Sequence, residues 1–189
     1  MSEQPAFDPL RALEALTDHG VRFVVIGGFA GQLLGSSLVT NDLDVCYSRD
    51  DRNLERLTTA LRELGARLRG APEDVPFVLD TKTLKMGNHF TFTTSAGALD
   101  VVGAPAGVGG YEDLAQAAQE VSVGVFTVRV ASIDDLIQMK RAAGRPRDLA
   151  AVEVLGALRD EIDAQAAEER RARRKASGGG SSRRTAGSG

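Results

Sequence analysis

The sequence predicts an α/β (α+β) chain: a twisted, mixed β-sheet flanked by helices, with further helices at its C-terminal end. Three observations lead there. A capped amphipathic segment over residues 8–20 gives way at once to the apolar run Arg22-Phe23-Val24-Val25-Ile26, so a helix is followed by a buried strand. Residues 89–94 and 98–102 read as strands on either side of Ser95-Ala96-Gly97, a hairpin pattern. Helix-period segments recur between the strand-like ones without a regular βαβ spacing, which favours a small mixed sheet.

In chain order, Asp8-Pro9 caps a helix carrying Leu10, Leu13 and Leu16, and Gly20 stops it. The strand at 22–26 ends on Gly27-Gly28, and Phe29–Leu34 forms a short helix. Over residues 42–47, Leu43, Val45 and Tyr47 alternate with Asp42, Asp44 and Cys46 in a second strand. Asp50 or Asp51 then caps a helix with Leu54, Leu57, Leu61 and Leu64 on one face and Gly65 as its stop. Residues 66–81, rich in Pro, Gly and Asp, read as loop. Beyond the hairpin come a glycine-rich connection at 105–110, a short helix at 111–119 and strands at 121–123 and 126–130. Ser132 with Asp135 resembles a capping box opening a helix over 133–143, and Pro146 can start a last helix that runs to about Arg174. Residues 176–189 hold only Gly, Ser, Arg, Ala and Thr, with too little apolar surface to reward ordering, and are expected to be disordered.

Composition narrows the class. At 189 residues and 42% hydrophobic the chain can bury one core. No apolar run is long enough to span a membrane, and the acidic start Met-Ser-Glu-Gln-Pro-Ala-Phe-Asp carries no secretory signal, so a cytoplasmic protein with no membrane partner is expected. Cys46 stands alone, which rules out an internal disulfide and suggests a buried, inert thiol. One cysteine and two scattered histidines exclude a structural zinc site. Residues 165–189 hold seven basic and two acidic residues, leaving 16 basic and 24 acidic ones on residues 1–164. An acidic body with a basic end suggests an anionic partner for that end.

The chemistry concentrates in Gly27-Gly28, then Thr40-Asn41-Asp42-Leu43-Asp44-Val45, then Leu99-Asp100-Val101-Val102. Two carboxylates two residues apart on a strand share a face, and like charges held side by side repel unless a cation sits between them. Asp100 interrupts an otherwise apolar strand. Three converging acids offer hard oxygen ligands of the kind Mg²⁺ (or Mn²⁺) takes. Glycines at a strand-to-helix turn let backbone amides approach phosphate. His89 opens a strand that could meet the same face.

The string Gly27-Gly28, Asp42-Leu43-Asp44 and Asp100 resembles the signature of the DNA polymerase β-like nucleotidyltransferase superfamily. Residues 131–149, Ala-Ser-Ile-Asp-Asp-Leu-Ile-Gln-Met-Lys-Arg-Ala-Ala-Gly-Arg-Pro-Arg-Asp-Leu, are similar to the C-terminal block of AbiEii-type and MenT-type nucleotidyltransferase toxins. The resemblance covers roughly residues 10–160 and none of the tail. It implies a minimal nucleotidyltransferase fold, with a core over 1–131, C-terminal helices over 132–175 and the tail at 176–189. It implies metal binding by Asp42, Asp44 and Asp100, with Asp100 also helping to deprotonate the attacking hydroxyl. It makes Lys140 the triphosphate contact and Asp148 the acid that accompanies it. Many relatives carry an arginine where this chain has Leu38, and a serine where it has Gly28, so phosphate binding is expected to lean on Gly27, Gly28, Ser36, Ser37, Thr40 and Lys140. The reaction implied is transfer of a nucleoside monophosphate from an NTP to an acceptor hydroxyl, with a tRNA 3′ end as acceptor and an antitoxin protein as partner. Two other readings stay open: the same chemistry on a small-molecule or protein hydroxyl, and a non-catalytic module of this fold.

Overall fold

Helix α1 (Pro9–Asp18) opens on Asp8, whose carboxylate accepts from the Arg11 amide at 3.1 Å, and closes on His19 with Gly20 behind it at φ 64°. The chain then enters β1 (Phe23–Ile26), whose four residues are all buried, and turns directly into α2 (Gly27–Leu33). Strand β2 (Asp42–Tyr47) follows, then α3 (Asp51–Glu63), capped by the Asp50 carboxylate on the Asn53 amide at 3.1 Å. The structure, a computed structural model, describes residues 5–71 and 77–178.

One element lies inside the segment that the sequence reads as loop, and another begins at its last residue. Strand β3 (Arg67–Leu68) pairs antiparallel with β4 (His89–Thr94), Arg67 opposite Thr93 and Leu68 opposite Phe92. Two residues are too few to show a period, so only the partner strand reveals them. Helix α4 (Thr81–Met86) is nucleated by Asp80, whose carboxylate accepts from the Thr83 amide at 2.7 Å. The hairpin forms as expected between β4 and β5 (Gly97–Val102). Helix α5 (Tyr111–Ala117) and strands β6 (Gln119–Val123) and β7 (Phe126–Val130) complete the sheet region.

Among the described residues the strands form one seven-stranded sheet in the order β3-β4-β5-β2-β1-β7-β6. It is mixed: β2 runs parallel to β5 and β1 parallel to β7, while the other neighbours are antiparallel. Leu43, Val45, Tyr47, Leu99, Val101 and Phe92 share one face and are fully or almost fully buried. Tyr47 donates to the Leu84 carbonyl of α4 at 3.3 Å, so this face is covered by helix. With Leu13 and Leu16 of α1 and Leu54, Leu57 and Leu61 of α3 it belongs to one core, each fully buried Leu worth ~1.5–3 kcal/mol.

The C-terminal helices are α6 (Ile133–Ala143) and α7 (Pro146–Gly178). The Ser132 hydroxyl accepts the Asp135 amide at 3.1 Å, and Gly144 in the left-handed conformation ends α6, so the two helices meet at a sharp corner. Helix α6 packs against α2 and α7. Helix α7 extends past the expected end at Arg174; Asp160 to Lys175 are exposed except for the half-buried Ala166 and Ala167. The Gly/Ser/Arg tail expected over 176–189 lies from residue 179 onward outside the described residues. No helix among the described residues is long and apolar enough to cross a membrane.

Candidate active site

Alternation along β2 sends Asp42, Asp44 and Cys46 to the face opposite Leu43, Val45 and Tyr47. Parallel pairing then decides what stands beside them. Asp44 lies in register with Asp100 of β5, and Asp42 with Ala98. One carboxylate oxygen from each of Asp42, Asp44 and Asp100 falls within 4.8 Å of the others. Asp42 and Asp44 are half-buried and Asp100 is 8% exposed. Cys46, on the same face, is wholly buried and its thiol is pushed up to about 12 by that burial, so it stays a protonated packing group.

Electrostatics make this cluster a candidate cation site. Burial, then the charges of Asp42 and Asp100, push Asp44 up to about 7, against the pull of Lys140 and Arg69. Asp100 is also raised, by burial first and by Asp42, although Arg69 and His89 oppose the shift. Its Oδ1 accepts from the Arg69 guanidinium, and its Oδ2 lies 3.7 Å from Nε2 of the exposed His89. A divalent cation would relieve the crowding that raises Asp44 and Asp100. The donor set fits one: three hard carboxylates and no thiolate, the preference of Mg²⁺ or Mn²⁺.

The glycines have geometric reasons to be there. Gly27 holds φ 70°, and a Cβ on it would run into the Asp44 carboxylate. A Cβ on Gly28 would stand 2.8 Å from that of Thr40, whose hydroxyl in turn donates to the Asp42 carboxylate. Any larger residue at either position would push into the acidic face.

Across the cleft, Nζ of Lys140 lies 3.0 Å from Oδ1 of Asp148. Asp148 is 3% exposed, and its Oδ2 is buried without a hydrogen-bond partner. Burial disfavours its charge, yet Lys140, Arg145 and Arg147 together hold its pKa below the usual carboxylate range. The intervening cleft, ≈ 550 Å³, is floored by the three acids, edged by Gly27, Gly28 and Thr40, and roofed by Met139, Lys140 and Ala143 of α6 with Asp148 of α7.

Of the residues singled out in the sequence, Asp42, Asp44, Asp100, Gly27, Gly28, Thr40, Lys140 and Asp148 therefore come together. Ser36 and Ser37 do not line this cleft; the Ser36 hydroxyl accepts the Leu38 amide at 3.2 Å, tightening the loop behind it. Sequence reasoning missed Arg69. It follows the two-residue β3, its amide donates to the Thr91 carbonyl at 2.9 Å, and no periodic pattern announces it.

No protein-family model matches the chain, and no curated protein matches it. Among solved structures, it is similar to the lincosamide antibiotic adenylyltransferase LnuA, lincomycin-bound, at a TM-score of 0.55 and 13% identity, over 79% of this chain and 95% of that one. It is similar as well to ANT(2″)-Ia in complex with adenylyl-2″-tobramycin, at a TM-score of 0.53 and 16% identity, over 89% of this chain and 95% of that one. At these identities the likeness is one of architecture, and with a mixed sheet flanked by helices and an acidic face beneath its C-terminal helices, the chain has the nucleotidyltransferase fold.

Proposed function

We propose that this protein is a metal-dependent nucleotidyltransferase that moves a nucleoside monophosphate from an NTP to an acceptor hydroxyl and releases pyrophosphate. The observation that carries the reading is the convergence of Asp42, Asp44 and Asp100 within 4.8 Å on one sheet face of a nucleotidyltransferase fold. A divalent cation bound there would neutralise phosphate charge and acidify the acceptor hydroxyl.

The chain's own residues supply the rest. Gly27 and Gly28 let Asp44 and Thr40 pack directly against the turn that edges the cleft, where a triphosphate would lie along the backbone. Lys140, steadied by Asp148, faces the acids across the cleft and offsets the charge of the phosphates. Asp100, raised above the usual carboxylate range, suits transient acceptance of the hydroxyl proton. The O–P bond to the acceptor forms as the bond from the α-phosphorus to pyrophosphate breaks.

For the acceptor, the similarity of residues 131–149 to the AbiEii-type and MenT-type toxins supports a tRNA 3′ end, with a cognate antitoxin as partner. The two solved folds favour a second reading, a small-molecule hydroxyl, since one is lincomycin-bound and the other holds an adenylyl-tobramycin. Each radiolabelled NTP incubated with Mg²⁺ and, separately, total tRNA, lincomycin or tobramycin decides between them. Label on tRNA supports the first reading and label on an antibiotic the second. Label on neither, together with no metal-dependent NTP binding, would sink the transferase proposal.

A further inference from the structure

The last contacts of α7 with the body come near Arg159. Leu155 is buried and the Arg159 guanidinium holds Asp134 of α6 at 3.4 Å, whereas from Asp160 to Lys175 only Ala166 and Ala167 are less than exposed. This stretch divides into two blocks of opposite sign. Residues 160–169 hold five acidic and no basic residues, and residues 170–175 hold five basic and no acidic ones.

A helix that is polar all round keeps its shape through opposite charges three or four places apart, or through a partner. Glu168 and Glu169 have such opposites in Arg171 and Arg173. Asp160, Glu161 and Asp163 have no basic residue three or four places on, and Arg170 and Lys175 have no acidic one three or four places back. Arg159, the nearest cation before them, is divided between Asp160 at 3.2 Å and Asp134. Glu161 and Arg173 stand 12 residues apart, ~18 Å along the axis, too far to meet within one helix.

A two-fold contact needs a surface that complements itself, and the order acidic, small, basic does so when two helices run antiparallel. With the axis at Ala166 and Ala167, Asp163 comes opposite Arg170 and Asp160 opposite Arg173 of the second copy, and each pair occurs twice. The two alanines, the half-buried residues of the stretch, let the helices approach closely where they cross the axis. A nucleic acid would use the basic block alone and be repelled by the acidic one, whereas a second copy satisfies both.

We infer that residues 160–175 of α7 form a self-association surface, on which a second copy of this chain lies antiparallel with the two-fold axis at Ala166 and Ala167. The inference does not depend on the transferase reading.

Sedimentation equilibrium of the full chain is expected to show a monomer–dimer equilibrium in low salt, weakened at least about tenfold in about 1 M NaCl. One variant carries Asp160→Lys, Glu161→Lys and Asp163→Lys, and another Arg170→Glu, Arg171→Glu and Arg173→Glu. Each alone should associate at least about tenfold more weakly than wild type, and an equimolar mixture of the two should recover the dimer. Disulfide trapping fixes the direction, because Cys46 is wholly buried and a single added thiol reports alone. Ala167→Cys should link two copies under copper–phenanthroline. Ile162→Cys should not, since antiparallel pairing holds its two copies ~14 Å apart along the axis. A monomer at every concentration, a dimer indifferent to the charge reversals, a mixture that fails to associate, or linking at position 162 as readily as at 167 would overturn the inference. A chain that stays monomeric but binds an oligoribonucleotide through its basic block would overturn it too, and give that block to nucleic acid.

Discussion

Asp44 stands between two other carboxylates and against the backbone of Gly27. Its folded-state pKa, about 7, lies above the ordinary carboxylate value, so the metal-free protein favours the protonated form. Stability is therefore greatest below about pH 4 for this group and is lost as pH rises towards 7, the reverse of a salt-bridged acid. Asp44→Asn should remove that slope, raise the stability of the EDTA-treated protein at pH 7.5 by on the order of 2 kcal/mol, and abolish transfer. Thermal melts between pH 5 and 8, with and without the substitution, check it; an unchanged slope would mean the crowding is not electrostatic. Gly27→Ala adds strain at positive φ to an overlap with the Asp44 carboxylate, so it should cost about 2 kcal/mol and weaken metal-dependent NTP binding at least about tenfold. Titration of a fluorescent NTP measures the second effect, and a wild-type affinity would show that Asp44 can move aside.

At the scale of elements, the site is a matter of register. Strands β1, β2 and the hairpin were legible because a buried run and a period of two are written in their residues, and the order glycine pair, Asp-x-Asp, distant Asp was enough to nominate the acids. What the sequence did not carry is contact across elements whose own signal is short. Arg69 arrives on a two-residue strand, and its meeting with Asp100 depends on β3 joining β4. The corner at Gly144 is another such case, because it sets Lys140 of α6 opposite Asp148 of α7. Lys140→Ala would leave Asp148 buried and without its ammonium partner, so a loss of about 2 kcal/mol is expected together with weaker triphosphate binding. Lys140→Ala with Asp148→Ala should recover much of the stability but none of the binding. Chemical denaturation and NTP titration of the single and double variants separate the two effects.

Over the whole molecule, charge and shape divide the same way. The acidic body ends in the exposed half of α7, where Arg170, Arg171, Arg173 and Arg174 lie, and the full helix of 33 residues is ~50 Å long. If RNA is the acceptor, deleting 176–189 and neutralising those four arginines should weaken RNA binding and flatten its salt dependence, by roughly 0.7–0.9 in log–log slope per lost phosphate contact. NTP binding should be unaffected; an unchanged RNA slope would make the basic end a passive extension. The parallel pairing of β2 with β5 has a consequence in time as well as in space. Asp44 and Asp100 are far apart in the chain, and α3, β3, α4 and β4 all lie between them in sequence. The carboxylates are therefore separate and hydrated in the unfolded chain and meet only when this long loop closes. If that closure follows the transition state, Asp44→Asn should slow unfolding of the metal-free protein and leave its folding rate unchanged, which stopped-flow denaturant jumps would read. A cation held by the three acids would favour the closed loop over the open one, so the stability of the native state would follow the supply of metal.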